Sequence, residues 1–107
     1  MDDQIRRPAA DFLLKMQTAE GGLAANTRMP VADLLSTFTG MVALVDLDGL
    51  AELDLDQVTR YATAMEQPQG GFRGGAWDDA ADVEYTFYGL GVSALLAVGG
   101  HTAPGRD

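Results

Sequence analysis

Two aspartates 49 residues apart, Asp33 and Asp82, each open an apolar stretch, and each is followed three residues later by a hydroxyl side chain, Ser36 or Tyr85. A carboxylate beside a hydroxyl can take, give or hold a proton at the edge of an apolar site. Asp33, Asp82 and Tyr85 are therefore the catalytic candidates, with Ser36 as a substrate contact. Either aspartate can equally cap its helix, taking the orphan amides of the first turn, and one residue can do both. Tyr85 either fills space or offers its hydroxyl to a ligand or a water. Phe38, Phe87 and Tyr88 follow within a turn. Such a set either packs a core or walls a site for an apolar chain, where ring faces stabilise a developing positive charge. Arg73 and Trp77 lie in the glycine-rich loop before Asp82. Arg73 is either solvated or meets an anion, and Trp77 either anchors its loop or touches a partner.

Other acidic strings carry less. Asp78-Asp79-Ala80-Ala81-Asp82 spells a diphosphate–magnesium motif, but that chemistry needs its carboxylates on one helix face, converging on a second acidic site. Here they precede the helix and no second site is evident, so capping and solvation account for them better. Asp46, Asp48, Glu52, Asp54 and Asp56 crowd a connector and read as solvated surface. There is no cysteine, and the single histidine, His101, lies in the tail, so neither a metal site nor a cofactor is expected. No Ser–His–Asp or Cys–His set and no phosphate-cradling loop is present. A net charge of −9, from 16 acidic and 7 basic residues, argues against nucleic acid as a partner. No apolar run approaches the roughly 18 residues of a membrane span. The simplest reading is a soluble, cytoplasmic protein.

The elements that must position these residues come from an ungapped internal repeat. At an offset of 49, Phe12 pairs with Tyr61, Met16 with Met65, Gly21-Gly22-Leu23 with Gly70-Gly71-Phe72, Asp33 with Asp82, Thr37-Phe38 with Thr86-Phe87, and Gly40 with Gly89. Each copy reads as helix, glycine-rich loop, helix. In the first, Pro8 suits an opening turn, Phe12, Leu13 and Met16 make an apolar stripe, and Asp33 precedes an apolar helix over Leu34 to about Leu47. In the second, Asp54 caps a helix from Leu55 to Met65, and a final helix runs from Asp82 to about Val98, packing through Leu90, Ala94, Leu95 and Val98. One half-wet helix and one helix apolar almost all round is the pattern of two concentric layers. A single repeat cannot bury its inner helix, so such units stack on neighbours. The expected fold is all-α: two helical hairpins with inner and outer layers (repeats 4–48 and 53–99, tail 100–107), one partial domain over 1–107 and part of a larger ring.

Gln17-x3-Gly21-Gly22-Leu23, Gln67-x2-Gly70-Gly71-Phe72 and the run Asp82 to Gly91 resemble the repeats of protein prenyltransferase β-subunits and squalene cyclases, over about residues 10–98. The resemblance implies an α/α-toroid whose aromatic-lined central cavity accepts an isoprenoid chain, with Arg73 near a diphosphate at the rim. It also implies where zinc would sit in a prenyltransferase. Asp33 matches the aspartate ligand, but Leu35 stands at the cysteine position and Tyr85 at the histidine position, so zinc-dependent thiol prenylation is not expected. The cyclase's Asp-x-Asp-Asp proton donor is matched only by Asp46-Leu47-Asp48-Gly49, which lacks the last acid.

The expected function is that of a carboxy-terminal fragment or small subunit of a prenyltransferase- or terpene-cyclase-like toroid. It would contribute wall to an apolar cavity, without its own zinc site, and be a transferase or cyclase only together with a second chain; a homo-oligomer would instead make it a self-completing or scaffold-like assembly. The alternative is a non-catalytic repeat module for protein–protein association.

Overall fold

A computed structural model describes residues 3–28, 30–68, 70–75 and 81–98, with only the backbone of residues 3 and 81–83. The order is α1 (Asp3–Leu14), α2 (Leu34–Asp46), a 3-10 turn (Leu50–Glu52), α3 (Leu55–Met65), β1 (Phe72–Arg73), β2 (Ala81–Asp82) and α4 (Val83–Val98). Trp77, Asp78, Asp79, His101 and the tail lie outside the described residues.

The 49-residue period holds at the level of single bonds. After each outer helix the chain turns back through matching amides. Thr18 N–H donates to Gly22 C=O and Gln67 N–H to Gly71 C=O, both at 2.8 Å. Leu23 N–H then donates to Thr37 Oγ1 at 2.9 Å, and Phe72 N–H to Thr86 Oγ1 at 3.0 Å. Each inner helix thus holds its own loop through a threonine one turn in, which is why that threonine recurs. The loops close as antiparallel pairs in the same register, Ala24 with Ala32 in one repeat and Arg73 with Ala81 in the other. Gly40 and Gly89 recur because the loop residue packs flat on the inner helix there. A Cβ on Gly40 would stand 2.6 Å from Leu23, and one on Gly89 would collide with the Phe72 ring.

Caps set the helix starts. Asp33 accepts from Ser36 N–H and begins α2; Asp54 accepts from Gln57 N–H and begins α3. Pro8 does not open α1 but lies inside it, where its missing N–H removes one helical bond. Between the repeats, Arg6 bonds Asp48 and Arg7 bonds Glu52, each at 3.0 Å, so the basic pair of α1 ties down the acidic connector. Exposed pairs of this kind contribute at most about 1 kcal/mol each.

The core joins the two hairpins. Leu34, Met41, Leu44, Val58 and Val92 are fully buried within it, and each buried side chain of that size contributes about 1.5–3 kcal/mol. The inner helices are covered on fewer sides than their composition predicts. Leu35, Val42 and Val45 of α2 are about two-fifths exposed, and Phe87, Leu90 and Val98 of α4 are more exposed still. The packing side of α4 is Val92, Leu95 and Leu96, not the expected line through Leu90 and Val98. Phe12, expected in the stripe of α1, is also exposed. The reason is common to all of these: two hairpins share one interface, so each leaves its other flank open.

Candidate functional site

The amino-terminal ends of α2 and α4 lie together. Leu34 N–H donates to Gly74 C=O at 2.9 Å, and a Cβ on Gly74 would stand 2.6 Å from the Tyr85 ring. Asp33 and Tyr85 therefore flank one loop. Asp33 is held by its own helix: Oδ1 accepts from Ser36 N–H at 2.7 Å and Oδ2 from Ser36 Oγ–H at 2.8 Å. The backbone of Asp82 ends β2 just before α4; its side chain lies outside what is described.

The aromatic residues picked out in the sequence form one connected group. Phe38 meets Phe87 edge-on at 6.0 Å and Tyr88 at 5.8 Å, and Tyr88 meets Phe87 at 5.6 Å and Tyr85 at 6.4 Å. Phe38 reaches across from α2 to lie over α4 at Gly91, where any side chain would collide with the ring. Tyr88 donates to Glu84 at 3.3 Å. Partial desolvation, then the negative charge of Glu84, hold its phenol above the ordinary range.

A second face of α2 completes the arrangement. Leu34, Thr37, Met41 and Leu44 are buried, and helical spacing puts Leu35, Thr39 and Val42 on the opposite side. Leu35 and Val42 are 40% and 41% exposed. Glu84, Tyr88 and Gly91 hold the matching positions one repeat later. Leu35, Ser36 and Thr39 also edge an open groove of about 400 Å³ reaching Phe12 on α1 and Met16 in the turn after it.

Two participants, Tyr61 and Glu20, were not read from the sequence, and a third, Gln17, was read there only as part of the loop motif. Tyr61, noted there only as the repeat partner of Phe12, is 3% exposed, and its hydroxyl finds no hydrogen-bond partner among the described residues. Burial, with the charges of Glu20 and Asp33, drives its phenol well above the usual range. Glu20 accepts from Ala32 N–H at 2.9 Å, so it braces the loop in front of Asp33. Gln17 joins the repeats: its amide donates to Gly21 C=O and Asp54 C=O, both at 2.9 Å, and accepts from Asp54 N–H at 3.0 Å. The loop motif already contained Gln17, but its second glutamine is out of step. The bridges Gln17–Leu23 and Glu66–Phe72 put Glu66, not Gln67, in the place of Gln17. Arg73 donates to Ala64 C=O at 3.4 Å, which ties it to the end of α3. Among the described residues no group of three or more His, Cys, Asp or Glu side chains is placed to hold a metal, and no helix is long and apolar enough to cross a membrane.

Residues 1–103 match the sequence pattern of the prenyltransferase alpha-alpha toroid domain. The chain is similar to the protein farnesyltransferase subunit beta of Pisum sativum, 31% identical over 98 residues, which covers 90% of this chain and 22% of that one. It is 28% identical over 98 residues to the protein of the same description from Arabidopsis thaliana, covering 90% of this chain and 20% of the other. The chain thus spans about a fifth of the length of these relatives.

Proposed function

From the premise that this chain belongs to the prenyltransferase alpha-alpha toroid family, we propose that it supplies two hairpins of an isoprenoid-handling toroid. It lends apolar wall to the cavity and acts only together with a second chain. The carrying observation is the second apolar face of α2, Leu35 and Val42, turned away from the core and flanked by Tyr88 and by Phe38 over Gly91. An inner helix needs such a face only if something apolar covers it. The relatives are described as β subunits, that is, as chains of an assembly, and this supports a partner.

In this reading the wall aligns an isoprenoid chain along α2 and α4, and the rings of Phe38, Phe87 and Tyr88 face any positive charge that develops on it. Tyr85, Asp33 and Asp82 stand at the end where the helices begin, with Ser36 and Arg73 nearest a polar head group and Trp77 in the same loop.

Zinc does not fit the positions that the resemblance assigns to it. Zinc takes thiolate, imidazole and carboxylate donors. Leu35 has no donor atom and Tyr85 offers a phenol rather than an imidazole, so Asp33 alone of the three positions supplies a zinc donor. No step is routed through the metal. The reading without chemistry, an association module, uses the same exposed flanks and differs in needing no lipid.

Titration of the chain in its natural assembly with a fluorescent farnesyl diphosphate analogue tests the proposal. Saturable binding, weakened about tenfold or more by Leu35→Asp or Val42→Asp, is expected, since a charge on an apolar wall costs at least a few kcal/mol on ligand burial. An assembly that binds no such analogue, or binds it unaffected by either substitution, refutes the cavity.

A further inference from the structure

The connection between the hairpins holds an aspartate where a helix end favours glycine. α2 closes with two backbone bonds: Asp48 N–H donates to Val45 C=O at 3.2 Å and Gly49 N–H to Leu44 C=O at 2.8 Å. That double closure puts the residue after the cap in the left-handed region, where side chains are disfavoured and glycine is the usual occupant. Asp48 stands there at φ +57°, the only non-glycine of positive φ among the described residues. Arg6 of α1 gives the reason for a carboxylate at this point. Its guanidinium donates to Asp46 C=O at 3.2 Å and to the Asp48 carboxylate at 3.0 Å, holding α1 against the end of α2. The Asp48 side chain is nonetheless 90% exposed.

Asp48 and Gly49 form the only Asp-Gly pair in the chain. A glycine amide carries no side chain to keep it from the preceding carboxyl carbon, so an aspartate before glycine closes most readily on its own backbone. We infer that Asp48 is a site of spontaneous conversion to isoaspartate, held in check by two bonds of the fold. Gly49 N forms a bond to Asp48 Cγ. The amide proton, one carboxyl oxygen and a proton from solvent leave as water, and a five-membered imide remains. Water then opens the ring. Attack at the former side-chain carbonyl restores aspartate; attack at the Asp48 main-chain carbonyl leaves isoaspartate, at unchanged mass. The fold opposes the first step twice. Leu44 C=O holds the attacking N–H, and the uncharged imide gives up the ion pair with Arg6. Cyclisation therefore waits for the last turn of α2 to open. Isoaspartate lengthens the main chain by one methylene and shortens the side group, so the two closing bonds and the Arg6 contact no longer fit together. The site lies in the connector and does not depend on what the cavity holds.

The full chain is incubated for weeks in neutral buffer, folded and in urea. Isoaspartate is counted by methyl transfer from labelled S-adenosylmethionine with an isoaspartyl methyltransferase, and placed by peptide fragmentation. It forms at Asp48 in both samples, about tenfold more slowly in the folded one, because attack waits on local opening. Arg6→Ala speeds the folded chain about threefold, as loss of an exposed pair allows, while Arg6→Lys, which keeps the charge, speeds it less. Asp48→Glu removes the signal, since its imide would be six-membered. Each variant is compared with its own urea-unfolded rate, which separates a local effect from global unfolding. A folded chain with no isoaspartate at Asp48, equal rates folded and unfolded, or a folded Arg6→Ala chain that ages no faster than the natural one each overturns the assignment.

Discussion

Gly21 and Gly70 hold the same left-handed φ, +104° and +101°, yet Gly21 is pressed against the carbonyl of Gln57, while no described residue lies within 4 Å of where a Cβ on Gly70 would stand. The same φ thus recurs in both loops, and the packing differs because, among the described residues, only the first hairpin is followed by a second.

Alanine at the two glycines separates conformation from contact. Gly70→Ala should cost about 1–2 kcal/mol, the penalty for an L-residue in this region. Gly21→Ala should cost about 1–3 kcal/mol more, because the added methyl overpacks the joint. Urea unfolding of both variants measures the difference, and equal losses would mean that the α3 contact carries no energy.

Gln17 tests the clamp between repeats. Gln17→Ala removes two donated bonds and one accepted bond, a loss of about 1–3 kcal/mol. Gln17→Glu should be worse at neutral pH, since a carboxylate would face the Gly21 and Asp54 carbonyls. Those carbonyls raise its folded-state pKa above the unfolded value of about 4.3, so the deficit should shrink as pH falls through that range. Denaturation at pH 4 and pH 7 gives the comparison; a deficit independent of pH would remove the carbonyls from the account.

Tyr61 is neutral in the fold and its phenol is raised by burial. Below the unfolded pKa of about 10 both states carry the proton and the group adds no pH dependence. Above it the unfolded chain ionises first, so stability falls as pH rises. Tyr61→Phe keeps the ring against Gly22, removes a buried hydroxyl with no partner among the described residues, and should leave stability at pH 7 equal or higher by about 1 kcal/mol. It should also flatten the loss between pH 9.5 and 11. A variant as alkali-sensitive as the natural chain would assign that loss to other groups.

Asp33 separates capping from chemistry. Asp33→Asn retains an acceptor for Ser36 N–H, and Asp33→Ala should cost about 1 kcal/mol of stability. If the carboxylate acts only as a cap, any activity of the assembled protein should follow stability, with Asn near the natural level. A loss of turnover in the Asn variant at unchanged thermal midpoint would give the charge a part in the reaction.

The layered fold was legible because burial writes a period. Thr37 and Thr86, and Gly40 and Gly89, recur at one spacing, each pair for a contact inside its own hairpin, and such local contacts survive in any single sequence. Asp33 and Asp54 were legible as caps for the same reason, since a cap needs only its own first turn. The candidate site was half legible. The rings of Phe38, Phe87 and Tyr88 stood out by type, but not that Phe38 crosses to Gly91. The Gln17 clamp reaches 37 residues along the chain, which no local pattern encodes, and matching by residue type put Gln67 in the place that pairing assigns to Glu66.

What the sequence alone determined is the repeating unit: where helices start, where the chain turns back, and which helix of each pair is apolar throughout. Only the tertiary structure decided which apolar residues are covered. Tyr61 and Phe12 hold the same place in the repeat, at 3% and 58% exposure, because burial belongs to the neighbour as much as to the residue. A hairpin carries the pattern for two flanks, and stacking in space determines which flank meets a partner.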